Sequence, residues 1–258
     1  MGSGVQMVAV GLLLGFLSGL FGVGGSSVAT PVLRLLGVSR LVALATPLPV
    51  TLPTALVGGY AYWRQGLVDL RAALWTAAGG VPAVVAGSYL TAVVPGRLLM
   101  LLTGTFVVLV GLRLLWGPVP AAPDDPKLRL PQMHLLGVGA GVGFLSGLLA
   151  NGGGFLLVPA YLLLFRMEAR QAAATSLVAV ALLALPGTWV HWQLGHIDAH
   201  LAVLLAAGVI PATYLGARVG INLGGRQSRL LFGGFLLLFG LFFLFRTLYR
   251  AELYGWWG

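Results

Sequence analysis

Gly15-Phe16-Leu17-Ser18-Gly19-Leu20 returns letter for letter as Gly143-Phe144-Leu145-Ser146-Gly147-Leu148. At the same offset of 128, Gly24-Gly25 and Pro31 meet Gly152-Gly153 and Pro159. One residue then enters and the offset becomes 129. Ala45-Thr46 meets Ala174-Thr175, and Trp63-x-x-Gly66-x-x-Asp69 meets Trp192-x-x-Gly195-x-x-Asp198. Gly79-x-x-Pro82, Gly87, Arg97, Gly104 and Gly111 find their counterparts in Gly208-x-x-Pro211, Gly216, Arg226, Gly233 and Gly240. Such self-similarity requires a fold made of two copies of one unit. In a very apolar chain, it is the pattern of a transporter with its site between the repeats.

The chain is 59% hydrophobic and 8% charged, where a soluble domain carries about 25% charged residues. Long apolar runs bounded by charges recur along its length, so its solvent is lipid. The net charge of +9 comes from fourteen Arg and one Lys against six acids. These cations stand singly or in pairs at the ends of apolar runs, where Arg anchors helices at a membrane surface. No basic stripe with interleaved aromatics marks a nucleic-acid face. The absence of cysteine removes disulfides, thiolate catalysis and Cys-based metal sites. No basic stretch precedes the first apolar run, so the N-terminus does not read as a cleaved signal peptide.

Each half parses into the same segments. In the first, an apolar helix over 5–21 meets a glycine break at Gly22-Val23-Gly24-Gly25, followed by a short helix over 26–37. About 12 residues cannot cross ~30 Å of hydrocarbon. Runs at 40–63, 71–92 and 97–116 can. The second half repeats this as 134–149, 154–165, 169–192, 200–223 and 227–248. The sequence therefore predicts an all-α polytopic membrane protein of about eight to ten membrane segments. Its repeats cover 1–116 and 134–258, each a Gly-broken helix plus three spanning helices, and 117–133 forms a Pro-rich linker outside the membrane.

The Arg/Lys distribution bears on whether the copies are parallel or inverted. In the first half, one face holds Arg34, Arg40 and Arg97, and the opposite face holds Arg64, Arg71, Arg113, Lys127 and Arg129. In the second half the equivalent faces hold Arg166, Arg170, Arg226 and Arg229, then Arg246 and Arg250. The bias changes sign between halves, which favours inversion over parallel copies.

The glycine breaks carry the strongest chemical signal. Irregular backbone at membrane depth is tolerated only where protein or water covers it. Glycines let several N–H groups point one way, and a helix starting at the break turns its positive end toward them. Exposed amides at a helix N-terminus bind an anion without a buried cation. Gly24, Gly25, Ser26, Asn151, Gly152 and Gly153 are the candidate ligands here. Thr46 beside Pro47, and Thr175 beside Ser176, add hydroxyls that could donate to an oxyanion or cap a broken turn. The alternative reading makes each break a structural hairpin between closely crossing helices.

Other polar residues read as structural. Gly11, Gly15, Gly19 and Gly139, Gly143, Gly147 form small-residue faces for close helix packing. Trp63 and Trp192 belong at the interface, and Asp69 and Asp198 are expected to cap the helices that follow. His191 beside Trp192 reads as interfacial. Arg218 is expected to snorkel outward, with a role in attracting an anion as the alternative. All six acids fall outside the spans, which argues against an intramembrane carboxylate relay and a two-carboxylate hydrolase.

The combined pattern of Gly15 to Gly25 with Pro31, Gly143 to Gly147, Asn151 to Gly154, Pro159, Ala174-Thr175-Ser176 and the Trp63/Trp192 loops resembles the TauE/SafE family of sulfite-exporter-like permeases. The resemblance covers nearly the whole chain. It implies a multi-pass protein of the cell (inner) membrane that moves small sulfur-containing or organic anions such as sulfite or sulfonates. The chain departs from the family at Ser26-Ser27, where a third glycine and a large apolar residue are common. It departs again at Pro47, where the second copy keeps Ser176, so the two half-sites are not equivalent. No catalytic residue, metal or cofactor is expected. The expected partners are the lipid bilayer and a small anionic substrate, without nucleic acid, and a homodimer is the assembly to test. An anion channel is the rival reading, with an intramembrane enzyme or lipid flippase behind it.

Overall fold

In hydrocarbon every peptide group must find its partner within the protein, and helices do this segment by segment. The computed structural model describes residues 4–24, 26–90, 96–117, 131–149 and 153–249, and among these no strand occurs. The helices are α1 (Gly4–Phe21), α2 (Ser26–Leu35), α3 (Arg40–Ala45), α4 (Pro47–Trp63), α5 (Leu70–Leu90), α6 (Gly96–Trp116), α7 (Gln132–Leu149), α8 (Gly154–Leu163), α9 (Ala169–Gln193), α10 (Ala199–Asn222) and α11 (Gly225–Tyr249). Most of the expected linker lies outside the described residues. Among the described residues, five segments are long and apolar enough to cross a membrane: Gly4–Phe21, Leu41–Trp63, Leu70–Leu90, Ala169–Gln193 and Ala199–Asn222. Side chains such as Leu56, Tyr89, Leu109, Val203 and Leu238 face outward, as a lipid-facing surface requires.

The expected segment over 40–63 is divided. Its hydrogen-bond ladder is interrupted at Thr46, because Pro47 and Pro49 have no N–H to donate. The corresponding α9 carries Thr175-Ser176 at this place and runs unbroken for 25 residues. Of the five spanning segments, Leu41–Trp63 and α9 are the most buried.

The small-residue faces fix the packing. A methyl group placed on Gly11, Gly15 or Gly19 of α1 would strike the carbonyl oxygens of Leu205, Val209 or Thr213 on α10. One placed on Gly139, Gly143 or Gly147 of α7 would strike those of Thr76, Gly80 or Val84 on α5. Each α10 residue stands 129 positions after its α5 counterpart. Contact numbers rise together along both pairs, so α1 runs parallel to α10, and α7 to α5. Backbone-to-backbone approach of this kind supplies the dispersion contacts that replace hydrophobic drive in lipid.

Two other pairs run antiparallel. Ala61 and Tyr62, at the end of α4, pack with Ala173, Ala174 and Leu177 near the start of α9. Leu48, at the start of α4, shares a cavity wall with Gly187 and His191 near the end of α9. Gly111 of α6 meets Leu237 of α11, while Gly240 of α11 meets Val108.

This packing makes a direct prediction. Gly15→Ala forces a methyl group into the backbone of Val209, and overpacking of this kind costs about 1–3 kcal/mol. Gly137→Ala, with nothing within 4 Å of its new methyl group, should be neutral or slightly stabilising. Thermal unfolding in detergent should lower the midpoint for the first variant and not for the second.

Candidate functional site

The first break begins at Gly22, the first residue after α1. Gly22 and Gly24 have φ of 73° and 74°, in the left-handed region that only glycine enters at little cost. The chain thereby turns inward and restarts as α2, whose 10 residues rise about 15 Å, half of the ~30 Å of hydrocarbon. Gly24 lies against Val180 and Thr51. Val180 is twelfth of the 25 residues in α9, and Thr51 eleventh of the 23 in Leu41–Trp63. Gly24 is therefore level with the middle of both central segments.

The second break ends at Gly153, with φ of 77°, followed directly by α8. Its start touches the first break, since a methyl group on Gly154 would collide with the carbonyl of Val23. The two breaks thus meet inside the protein. Val23 and Phe155 are buried, at 1% and 4% exposure.

The hydrogen bonds around the breaks give them a polarity. The Ser176 hydroxyl donates to the Gly22 carbonyl at 3.0 Å. The Thr51 hydroxyl lies 3.2 Å from the Gly24 carbonyl, which also accepts from the Ser26 N–H at 2.6 Å. The Gly153 carbonyl accepts from the N–H groups of Leu156 and Leu157, both at 3.0 Å. Three carbonyls of the breaks are therefore supplied. The N–H groups of Val23, Gly24, Gly154 and Phe155 find no acceptor among the described residues. Supplied acceptors beside free donors make a surface that favours negative charge.

The predicted site residues divide accordingly. Gly24, Ser26 and Gly153 lie at the breaks, with Ser26 buried, and Ser176 is tied to the first break through Gly22. Gly25, Asn151 and Gly152 lie outside the described residues. Thr46 and Thr175 are fully buried, and their hydroxyl oxygens each accept from a loop N–H. The Thr46 hydroxyl accepts from the Asp198 N–H, and the Thr175 hydroxyl from the Asp69 N–H, each at 3.1 Å. Asp69 and Asp198 in turn accept from the N–H groups of Ala72 and Leu201, at 2.9 and 3.0 Å. Each threonine thus holds the capping loop that opens a helix of the other half.

Sequence reasoning missed Thr51, whose hydroxyl lies 3.2 Å from both the Gly24 and the Pro47 carbonyl. The available signal was a hydroxyl in an apolar run whose counterpart, 129 residues on, is Val180. It also placed His191 at the interface, whereas His191 is only 6% exposed. Helix α9 ends two residues beyond it, and α4, α5 and α7 close over the ring. His191 lines a small cavity of about 10 Å³, with room for about one water molecule, together with Leu48, Val84, Ser88, Ser146 and Leu183. Arg218 points away from the breaks. It is exposed, with its guanidinium 4.6 Å from the centre of the Tyr214 ring. Among the described residues no cluster of three or more His, Cys, Asp or Glu could hold a metal ion.

The sequence model of the sulfite exporter TauE/SafE family matches residues 7–243. Two relatives in Bacillus subtilis carry the descriptions "probable membrane transporter protein" YunE and YjnA. YunE is 28% identical over 87% of this chain and 89% of its own length, and YjnA 26% identical over 92% and 98%. A "probable membrane transporter protein" of Xylella fastidiosa is 29% identical over 94% of this chain and 95% of its own. No solved structure matches the chain.

The threonine contacts are testable. Thr46→Val and Thr175→Val should each lower stability by about 1 kcal/mol, the worth of one internal hydrogen bond, read as a lower thermal midpoint. If either variant kept its midpoint but lost anion binding, the hydroxyl would be a ligand rather than a loop clamp.

Proposed function

The chain belongs to the sulfite exporter TauE/SafE family, and on that footing we propose that it carries small sulfur-containing or organic anions, such as sulfite or sulfonates, across the cell membrane by alternating access. One observation carries this reading: two glycine breaks meet at mid-depth, where the carbonyls of Gly22, Gly24 and Gly153 are supplied and the amides of Val23, Gly24, Gly154 and Phe155 have no acceptor among the described residues. The N–H groups of Val23, Gly24, Gly154 and Phe155 replace part of the anion's hydration shell, and the positive ends of α2 and α8 add to the attraction. No buried cation is required. The bound species is small, because the surrounding walls are packed side chains of α4 and α9.

The antiparallel course of α4 against α9 and of α6 against α11 supports inverted repeats, since the members of each pair correspond at the 129-residue offset. Inverted repeats give a site at the midplane two related exits, one per face. The moving units are not the sequence halves. Interlocking of α1 with α10 and of α7 with α5 joins helices of different halves. Alternating access is then a rocking of α1, α4 and α10 against α7, α9 and α5 across the α4–α9 contact.

Binding measured against sulfite, thiosulfate, sulfoacetate, taurine and a set of carboxylates should select oxyanions without a metal. Gly24→Ala places a methyl group 2.6 Å from Val180 and strains a left-handed residue by about 1–2 kcal/mol. It should weaken binding of the preferred anion by roughly tenfold, the equivalent of ~1.4 kcal/mol. Moving one negative charge outward gains about 2.3 kcal/mol per 100 mV, inside negative. An imposed inside-negative potential should therefore speed thiosulfate efflux from proteoliposomes. Absence of any anion flux would overturn the proposal, and flux indifferent to substrate on the far side would make the protein a channel.

A further inference from the structure

The two halves differ at one buried position next to the breaks. In the first half, Tyr62 extends its hydroxyl to the Gly19 carbonyl at 2.9 Å and packs against Gly220, so the space there is filled. Its counterpart at the 129-residue offset is His191. The imidazole is shorter and turns aside, with its Nδ1 3.2 Å from the Nδ1 of His196. The cavity bounded by Ser88, Ser146 and His191 occupies the space this leaves. Ser146 also borders the second break, because its Oγ lies 3.2 Å from where a methyl group on Gly153 would sit. A line of polar groups therefore runs from the half-buried His196 in the α9–α10 loop, through His191 and the cavity, to the break.

We infer that His196 and His191 form a proton path into the anion site, and that the protein moves a proton together with its anion. The inference rests on the transport reading above. Two imidazoles facing through Nδ1 can share one proton between them, one ring donating and the other accepting. In the transfer, His196 takes a proton from the loop side on Nε2 and passes its Nδ1 proton to the Nδ1 of His191. His191 then releases its own Nε2 proton to a water in the cavity. One proton enters and one leaves, both rings end neutral, and their tautomers are exchanged. Rotation of the rings, or transfer in the opposite direction, restores the start. Among the described residues, the walls supply no competing charge. From α4, α5 and α7 the cavity receives Leu48, Val84, Ser88, Ser146 and Gly147, and from α9 Leu183 and Gly187. Asp198 is committed to capping α10, and His200 is exposed. Among the described residues, His196 is the titratable side chain within hydrogen-bond reach of His191. A divalent anion travelling with one proton still carries net negative charge, so an inside-negative potential still drives its exit.

The test uses the full-length protein in vesicles clamped at zero potential, with thiosulfate and, separately, sulfoacetate as probes. Anion movement and internal pH are recorded together. The wild type should move protons with the anion. In His191→Gln and in His196→Gln the protons moved per anion should fall to the leak of protein-free vesicles, while His200→Gln keeps the wild-type ratio. His191→Tyr, which installs the first-half side chain, should likewise lose proton movement. Because the two histidines are tested separately, failure of one variant to fold leaves the other as the test. Anion flux without proton movement in the wild type, or an unchanged ratio in a folded His191 or His196 variant, overturns the proton path and leaves the transport reading standing. No flux of either probe overturns both.

Discussion

A peptide group without a partner costs several kcal/mol in hydrocarbon. Every interruption of a helix at membrane depth therefore has to be enclosed and its polar groups accounted for. In this protein the enclosure comes from backbones brought close together. Three glycines of α1 lie on the carbonyls of α10, and three of α7 lie on those of α5. These contacts leave room at the centre for α4, α9 and the two breaks, and nothing larger than a hydrogen would be accommodated at those crossings. The same approach that holds the bundle together thus creates the only setting in which broken helices are tolerated.

Within that enclosure the accounting is lopsided in a useful way. Hydroxyls from Thr51 and Ser176, together with local N–H groups, serve the carbonyls of Gly24, Gly22 and Gly153. The amides of Val23, Gly24, Gly154 and Phe155 receive nothing from the described residues. Amides without acceptors beside served carbonyls give a positive potential without a formal charge. Such a potential favours negative charge without the desolvation of an Arg or Lys. The exposed Arg218, stacked on Tyr214, fits this division: charge stays at the periphery and dipoles act at the centre.

The duplicated halves are not structurally equivalent. Pro47 interrupts the ladder between α3 and α4, where Ser176 lets α9 continue and also gives its hydroxyl to Gly22. Tyr62 seals one side of the breaks, and His191 leaves a cavity on the other. Substitutions at matched positions thus make the two halves unlike around the breaks.

The helices were legible because each long apolar run ends at a break, a proline or a charged loop, and in lipid such runs have no alternative to helix. The caps at Asp69 and Asp198 were legible because a carboxylate before an apolar run serves the first free N–H groups. The partners of Thr46 and Thr175 were not, since the loops they hold lie 152 and 106 residues away. The burial of His191 was hidden for a related reason. Its neighbours Trp192 and Gly195 mark an interface, and only the closure of α4, α5 and α7 over the ring decides otherwise.

By itself the sequence determined the all-helical class, the membrane, the positions of the two breaks and the family, because hydrophobic run length, glycine spacing and exact repetition are local properties of the chain. The tertiary structure alone decided that the breaks touch, that the carbonyls of Gly22, Gly24 and Gly153 are served, and which hydroxyls face a loop. Those outcomes depend on how α1, α10, α5 and α7 lock across the two halves, and no local pattern encodes the direction in which a hydrogen bond is finally made.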